Sequence, residues 1–380
     1  FNPFRFIDSK SKDKNSMFFS TSFIGERFAS KISLNAFDNS YEEKKYDFSH
    51  SYLAVVSGNF ILGIGNYDRW WGPSHHASLI LSNYSKPSPG LFIRSLEGFA
   101  SKLPFIRSFG KLNFSVFANQ LESNRVIKNP YLIGGRLSFN PLNGFTIGLT
   151  RSIMFGGKGK DNSLEALWDS VRGDASTLKG DSDPNIDNEL AGFDLKYSFS
   201  LKDLVWSFYG QYIGEDGTDY WPWRTFYLAG TEFIYFKNNR FNSLIFEYID
   251  TFYQSNDLQT NFVYEHTSYG NGYRYLGSPI GAFIDGDSNY FHLSYNGEIN
   301  NKTNVEFSLI YGNFNKDDSG SRNSWGIKNE DFFGIVLNFD FKINKKVEAG
   351  LNITSLSEKL TYKGKVIDEN ILGLDFKYRF

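Results

Sequence analysis

The last stretch of the chain, Asp368–Phe380, ends in an unbroken alternation. Leu372, Leu374, Phe376, Tyr378 and Phe380 fall on one side of an extended backbone, with Gly373, Asp375, Lys377 and Arg379 on the other. A strand turns successive side chains to opposite faces, so this is a ribbon with one apolar and one charged face. A single ribbon of this kind suits the edge of any soluble sheet, but here the pattern recurs along the chain. Phe193, Leu195, Tyr197 and Phe199 oppose Gly192, Asp194, Lys196 and Ser198, and Val305, Phe307, Leu309 and Tyr311 share one face of Lys302–Phe314. Strands that are apolar outside and polar inside, repeated this often, suit a barrel whose exterior meets lipid and whose interior is wet.

Composition agrees. Aromatic residues make up 18% of the 380 residues, with 39 Phe, 23 Tyr and 7 Trp, yet the mean hydropathy is only −0.38. No apolar run approaches the ~18 residues of a membrane-spanning helix. A membrane barrel combines these features because half of each strand faces a polar lumen. A soluble β-propeller would show a blade-length repeat, and none is visible. A net charge of −2 gives nucleic acid no footing, and the absence of Cys excludes disulfides and thiolate metal sites. The chain opens on Phe1 without a signal peptide and reads as mature or trimmed.

The alternating stretches number 18, from Asn2–Asp8 and Ser16–Ile24 to Lys346–Leu356 and Asp368–Phe380. Bacterial barrels have an even number of strands, short turns at one end and longer loops at the other. The connections sort in that way. Those at 25–27, 57–58, 100–109, 141–143, 201–202, 238–241, 299–301 and 344–345 are short, while 67–89, 155–189, 254–288 and 315–329 all fall at the opposite end. The expected fold is all-β: a single transmembrane antiparallel β-barrel over 1–380, with 18 strands, long extracellular loops and periplasmic termini. Its place is the outer membrane of a Gram-negative bacterium, crossed many times.

The long loops carry the candidate functional residues. Tyr67–Pro89 is too long for a turn, and Leu79-Ile80-Leu81 is too short to span lipid. It is expected to fold into or across the lumen, with Asp68 and Arg69 paired against polar lumen residues near Arg94 and Arg151. Leu164–Val171 reads as a short helix capped by Asn162 or Ser163, expected to cover or narrow the barrel mouth. Trp70, Trp71, Trp168, Trp221, Trp223 and Trp325 fall in outward loops, leaving only Trp206 in a strand. Aromatic planes interspersed with charged groups hold sugars by stacking and by contacts to hydroxyls or carboxylates. On this reading Trp168, Tyr220, Trp221, Trp223, Arg224, Tyr273, Arg274, Tyr275 and Trp325 form a sugar-binding face at the outer mouth. The alternative is that these aromatics pack the loops against one another.

Catalysis finds no support. The five His are scattered apart from His75-His76, which lacks a third ligand at a recognisable spacing. No nucleophile motif is present, and Gly156-Gly157-Lys158-Gly159 is not a phosphate loop. No catalytic residue, metal or cofactor is expected.

The run Asp68-Arg69-Trp70-Trp71-Gly72-Pro73, continuing to Asn83, resembles the signature of the Wzi family of capsule-assembly outer-membrane proteins. Blocks in the same order also resemble family segments: Gly135–Phe139, Phe155–Gly159, Glu189–Asp194, Tyr209–Asp216, Glu247–Thr251 and Gly272–Gly281. The terminal Phe380 resembles the C-terminal signal by which outer-membrane barrels are recognised for insertion. The resemblance implies an 18-stranded barrel acting as a surface lectin that retains capsular or related exopolysaccharide. Its expected surroundings are outer-membrane lipid, as a monomer, with no nucleic acid. The family's helical plug ahead of the barrel is missing from this sequence, which starts almost at its first expected strand, so either the sequence is trimmed or this member lacks a plug; His75-His76 stand where members often carry Trp-Asp. The rival reading is a substrate-specific diffusion channel for sugars, which needs an open pore. Outer loops of 23, 35 and 35 residues favour occlusion.

Overall fold

The computed structural model describes residues 15–38, 45–100, 109–172, 187–218, 221–252, 262–316, 323–326 and 331–379. Its main sheet is an antiparallel meander in which each strand pairs with its neighbours in the chain. In order these are β1 (Asn15–Ile24), β2 (Phe28–Asp38), β3 in two pieces (Tyr46–Asp47 and Tyr52–Ser57), β4 (Phe60–Gly65) and β5 in two pieces (Gly90–Ser95 and Phe99–Ala100). Then come β6 (Lys111–Gln120), β7 (Tyr131–Leu142), β8 (Phe145–Phe155), β9 (Asn188–Leu201), β10 (Leu204–Thr218), β11 (Trp221–Lys237) and β12 (Arg240–Asp250). The last five are β13 (Asn289–Asn300), β14 (Thr303–Asn313), β15 (Asp331–Lys342), β16 (Val347–Leu356) and β17 (Asn370–Tyr378). The expected first strand, Asn2–Asp8, lies outside the described residues, as does the pairing that would close the sheet on itself.

Pleat parity sorts the side chains as the alternation requires. On β17, Leu372, Leu374 and Phe376 are 69%, 67% and 77% exposed, and β17 pairs with β16 in the register Leu351↔Leu374. Leu244, Phe246, Phe291, Leu293, Phe307 and Ile335 continue this apolar outer wall. The opposite parity carries buried Ser207, Ser243, Ser294, Ser308, Asn338 and Asn352. Across the inner wall Arg136 grips Asp194 with two parallel hydrogen bonds, Nη2 to Oδ1 at 2.9 Å being one. The turns follow local chemistry: Asn238 and Asn239, between β11 and β12, both adopt positive φ (52° and 57°). Consecutive left-handed residues match the twist of a two-residue hairpin.

Near the outer end the inner wall changes character. Leu190, Ile213, Phe226, Leu228, Ile249, Tyr290, Ile310 and Phe332 have inward parity and belong to one buried apolar cluster. The same cluster includes Trp71, Leu79, Ile80 and Tyr84 from one loop and Val263, Tyr264, Tyr273, Phe283 and Ile284 from another. Residues 66–89 and 262–288 thus fill the outer half of the lumen, and the wall there is apolar because it seats them.

Two expectations change. Trp221 and Trp223 belong to β11, because β10 and β11 stay paired as far as Thr218↔Trp221. The helix α1 (Leu164–Arg172) forms and is capped by Ser163, whose Oγ accepts from Ala166 N at 3.1 Å. It does not lie across the mouth. Arg151, on the outward parity of β8 beside exposed Leu149, donates to the carbonyls of Ser170 (2.8 Å) and Val171, which holds α1 against the outside of the wall.

Candidate functional site

The plug is built from backbone groups that find partners across two loops. Ser82 N donates to Ile280 O (2.9 Å) and Ser82 Oγ to Gly281 O (2.6 Å). Tyr264 donates its hydroxyl to Leu79 O and accepts from Ala282 N (2.9 Å). The Tyr273 hydroxyl bridges Ile80 O (2.9 Å) and Ser152 Oγ on β8 (2.8 Å). Tyr264 and Tyr273 stack with centroids 5.9 Å apart. Buried backbone must find partners, and these phenols supply them where no sheet ladder does.

Polar groups on the wall then fasten the plug. Glu247 of β12, fully buried, accepts from His75 N (2.7 Å), His76 N (3.1 Å) and the Tyr209 hydroxyl (2.7 Å), with His76 Nδ1 at 2.9 Å. His75 Nε2 lies 3.2 Å from Glu232, which Lys196 also approaches at 3.5 Å. Gln211 accepts from Leu79 N (2.8 Å) and donates to Trp71 O (2.9 Å). Gly72 permits this approach, since a Cβ there would sit 3.1 Å from Gln211 Oε1. The His75-His76 pair is therefore an anchor to two carboxylates. Sequence reasoning missed Glu232 and the anchoring role of Gln211 and Glu247. The signal was a charged or amide side chain on the lumen parity of a strand whose outer end is otherwise apolar.

The signature segment sits at the inner margin of the plug. Asp68 pairs with His50 at 2.5 Å. Buried Arg69 lies 4.4 Å from the Phe117 ring centroid and donates to Tyr67 O at 3.1 Å. Burial lowers its pKa to about 10. Rings, rather than the expected polar lumen residues, hold this guanidinium. Arg94 reaches the same Tyr67 ring (5.9 Å), whereas Arg151 faces outward and is no neighbour. Trp70 donates to Ser74 O (3.0 Å), Trp71 is buried in the apolar cluster, and Pro73 is half-buried.

The residues expected at the outer mouth separate into two groups. Tyr273, Arg274 and Trp325 are buried, and here the expectation of a sugar-facing surface is corrected. Arg274 is bidentate to Asp285, Nε to Oδ2 at 2.9 Å and Nη2 to Oδ1 at 2.7 Å, and meets Glu265 at 2.7 Å. Asp285 also accepts from Ser324 N (2.8 Å) and Oγ (2.6 Å), tying two outer loops together. Burial works against both charges of this pair. The carboxylates nevertheless raise the guanidinium pKa, and Arg274 with Ser324 lowers that of Asp285. Trp325 donates to Phe283 O (2.8 Å) and packs on Phe314 and Tyr362. Tyr362 belongs to a small hairpin, Leu360–Tyr362 with Lys365–Ile367, in the connection between β16 and β17.

Of the others, Trp168, Tyr275 and Arg224 stay nearer the surface. Trp168 is 59% exposed, Tyr275 is half-buried, and Arg224 is half-buried with its guanidinium 3.8 Å from the Phe262 ring centroid. Trp221 and Trp223 stand at the tip of the β10–β11 hairpin, and Tyr220 lies outside the described residues.

The description "Capsule assembly protein Wzi" fits residues 7–362. A Klebsiella pneumoniae protein, described as an uncharacterized 55.8 kDa protein in the cps region, is 32% identical over 190 residues. That match takes in 50% of this chain but only 37% of the relative's length. Among solved structures, Wzi of Escherichia coli is described as an outer membrane protein involved in group 1 capsule assembly and a carbohydrate-binding β-barrel. It superposes with a TM-score of 0.82 at 24% identity, over 96% of this chain and 78% of that one, a likeness of fold. The family match extends over all but the ends of the sequence, and the barrel with its long outer loops agrees with it: the chain belongs to the Wzi family of capsule assembly proteins.

Proposed function

We propose that this protein is a surface lectin that binds capsular or related exopolysaccharide at the outer mouth of its barrel and retains it on the cell. The observation that carries this reading is the filled outer lumen. A diffusion channel needs a continuous wet path, whereas here two loops share one buried core with the inner wall. Family membership in capsule assembly supports the same reading, and the E. coli relative's description as carbohydrate-binding fits it. Polysaccharide is then the partner, outer-membrane lipid the surroundings, and the barrel acts as a monomer without nucleic acid.

The contact face centres on the β10–β11 tip, with Trp221, Trp223 and Arg224, takes in Tyr220 as their neighbour in sequence, and extends to Tyr275. Tyr273, Arg274 and Trp325 act beneath it as scaffold. Aromatic planes offer apolar contact at low side-chain entropy cost, and the guanidinium reads hydroxyls or uronic carboxylates. A repeating polymer engages many barrels at once, so modest single-site affinity suffices through avidity. Binding rather than catalysis is the role, since Glu232, Glu247 and Asp285 are each engaged in holding the plug or the loops.

Purified protein and capsular polysaccharide from a producing strain, measured by biolayer interferometry, test this directly. Saturable binding that falls at least about tenfold in Trp221→Ala/Trp223→Ala, equivalent to 1.4 kcal/mol, is expected. No binding by the wild type, together with stable channel openings in planar bilayers, would transfer the assignment to the channel.

A further inference from the structure

Helix α1 presents three faces. At 3.6 residues per turn, buried Ala166 and Ser170 mark the side packed on the protein. Glu165, Asp169 and Arg172 form a charged edge, with Arg172 and Asp169 paired at 2.7 Å. Leu164, Trp168 and Val171, at i, i+4 and i+7, form an apolar stripe, and they are 84%, 59% and 39% exposed.

The position of the helix gives that stripe a neighbour. Arg151 grips the carbonyls at the helix C-terminus, where a cation is favoured, and pairs with Glu189 at 2.7 Å. Both residues have outward parity, so α1 rests on the outside of the barrel near its outer rim, against the wall that meets lipid. That wall is grooved level with Arg151: Gly135 and Ala191, its cross-strand partners on either side, leave a trough floored by backbone, lined by Arg151 and flanked by Leu137, Leu149 and Phe193 one step further in. A Cβ placed on Gly135 would meet nothing within 4 Å.

We propose that α1 is an interfacial element of the outer leaflet. Leu164, Trp168 and Val171 dip into the acyl region, and the groove beneath seats an acyl chain of an outer-leaflet lipid. Lipid is the occupant because the groove is mainly apolar, with the Arg151 guanidinium turned up to the helix carbonyls, and is continuous with the lipid-facing wall. The helix also divides its faces as interfacial helices do, apolar to the chains and charged to the water, and an indole at that depth is a customary anchor. This assigns Trp168 to lipid and is independent of the polysaccharide reading.

The chain has no cysteine, so single cysteines report uniquely. Spin labels at positions 164, 165, 168, 171 and 172, in protein reconstituted into phosphatidylcholine vesicles, are scored for collision with oxygen and with a water-soluble nickel chelate. Labels at 164, 168 and 171 are expected to favour oxygen, and those at 165 and 172 nickel. Equal nickel access at all five overturns the proposal, as does dipolar coupling between labels at 168 in dilute samples, which would mean that a second copy covers the helix. For the groove, Gly135→Phe fills the space without a Cβ clash. In native mass spectra with added phosphatidylcholine, the folded variant is expected to carry one lipid fewer than wild type. An unchanged lipid count overturns the seat.

Discussion

Replacing Glu247 by Ala should unlatch the plug while leaving the barrel standing. The carboxylate is fully buried and engages four groups at once: two backbone N–H donors at His75 and His76, the Tyr209 hydroxyl and the His76 imidazole. Each buried donor left without an acceptor costs about 1–3 kcal/mol. Water admitted into the emptied space recovers part of that, so a net loss of about 3–5 kcal/mol, as for other broken buried charge pairs, is the reasonable magnitude. At 1.4 kcal/mol per decade, this raises the undocked population of residues 66–89 roughly a hundred- to a thousandfold or more. The wall is spared, because β12 keeps its ladders to β11 and β13. In planar bilayers the wild type is expected to be silent, Glu247→Ala to show bursts of conductance, and Glu247→Gln, which keeps one acceptor oxygen, to fall between. A Glu247→Ala protein that runs as a folded, heat-modifiable barrel and stays as silent as wild type would refute the latch.

Three further outcomes follow from the same geometry. Leu374→Arg places a charge on the lipid side of β17 at a cost of about 2–4 kcal/mol near the midplane, so heat-modifiability on gels should be lost, and normal insertion would show the facing to be wrong. Arg274→Ala should weaken polysaccharide binding although Arg274 is buried, by loosening the loops above it, and Arg274→Ala/Asp285→Asn should recover part of the loss; no recovery would argue against the ion pair as the tie. The Asp285 carboxyl is held below its usual value, since Arg274 and Ser324 outweigh the opposing effect of burial, so its stabilisation is complete above about pH 4 and is lost as pH falls through the lowered folded value. Acid below about pH 4 should therefore loosen the outer loops reversibly, read as faster proteolysis of residues 262–288, and unchanged cleavage rates would contradict this.

What could be read from the sequence depended on whether a rule was local. Period-2 alternation placed Leu372, Leu374 and Phe376 on the outer face, and those side chains are exposed as the pattern requires. The Ser163 cap was legible for the same reason, since it involves residues three apart. The place of α1 was not, because Arg151 grips a helix end 19 and 20 residues further on and pairs with Glu189, 38 residues away in the chain. The hairpin tip was misplaced because β10 and β11, of 15 and 17 residues, outrun the roughly ten residues a spanning strand needs. Sequence also showed Ile245 and Ile249 beside outward Leu244 and Phe246, a strand apolar on both faces near its outer end. That loss of alternation was the trace of a plug, and Glu247 between the two isoleucines was its latch. Tyr273, Arg274 and Trp325 looked like sugar contacts because aromatic and charged residues in a loop serve a core as readily as a surface, and only burial tells the two apart.

Partition of polysaccharide between cell surface and medium bears hardest on the lectin reading. Cells lacking this protein are supplied with the wild type or with Trp221→Ala/Trp223→Ala, both verified as folded barrels in the outer membrane, and capsular polymer is quantified on washed cells and in the supernatant. Retention by the wild type, and release into the medium with total polymer unchanged for the variant, is the expected result. Full surface retention by the folded variant, or by cells with no barrel at all, would contradict it.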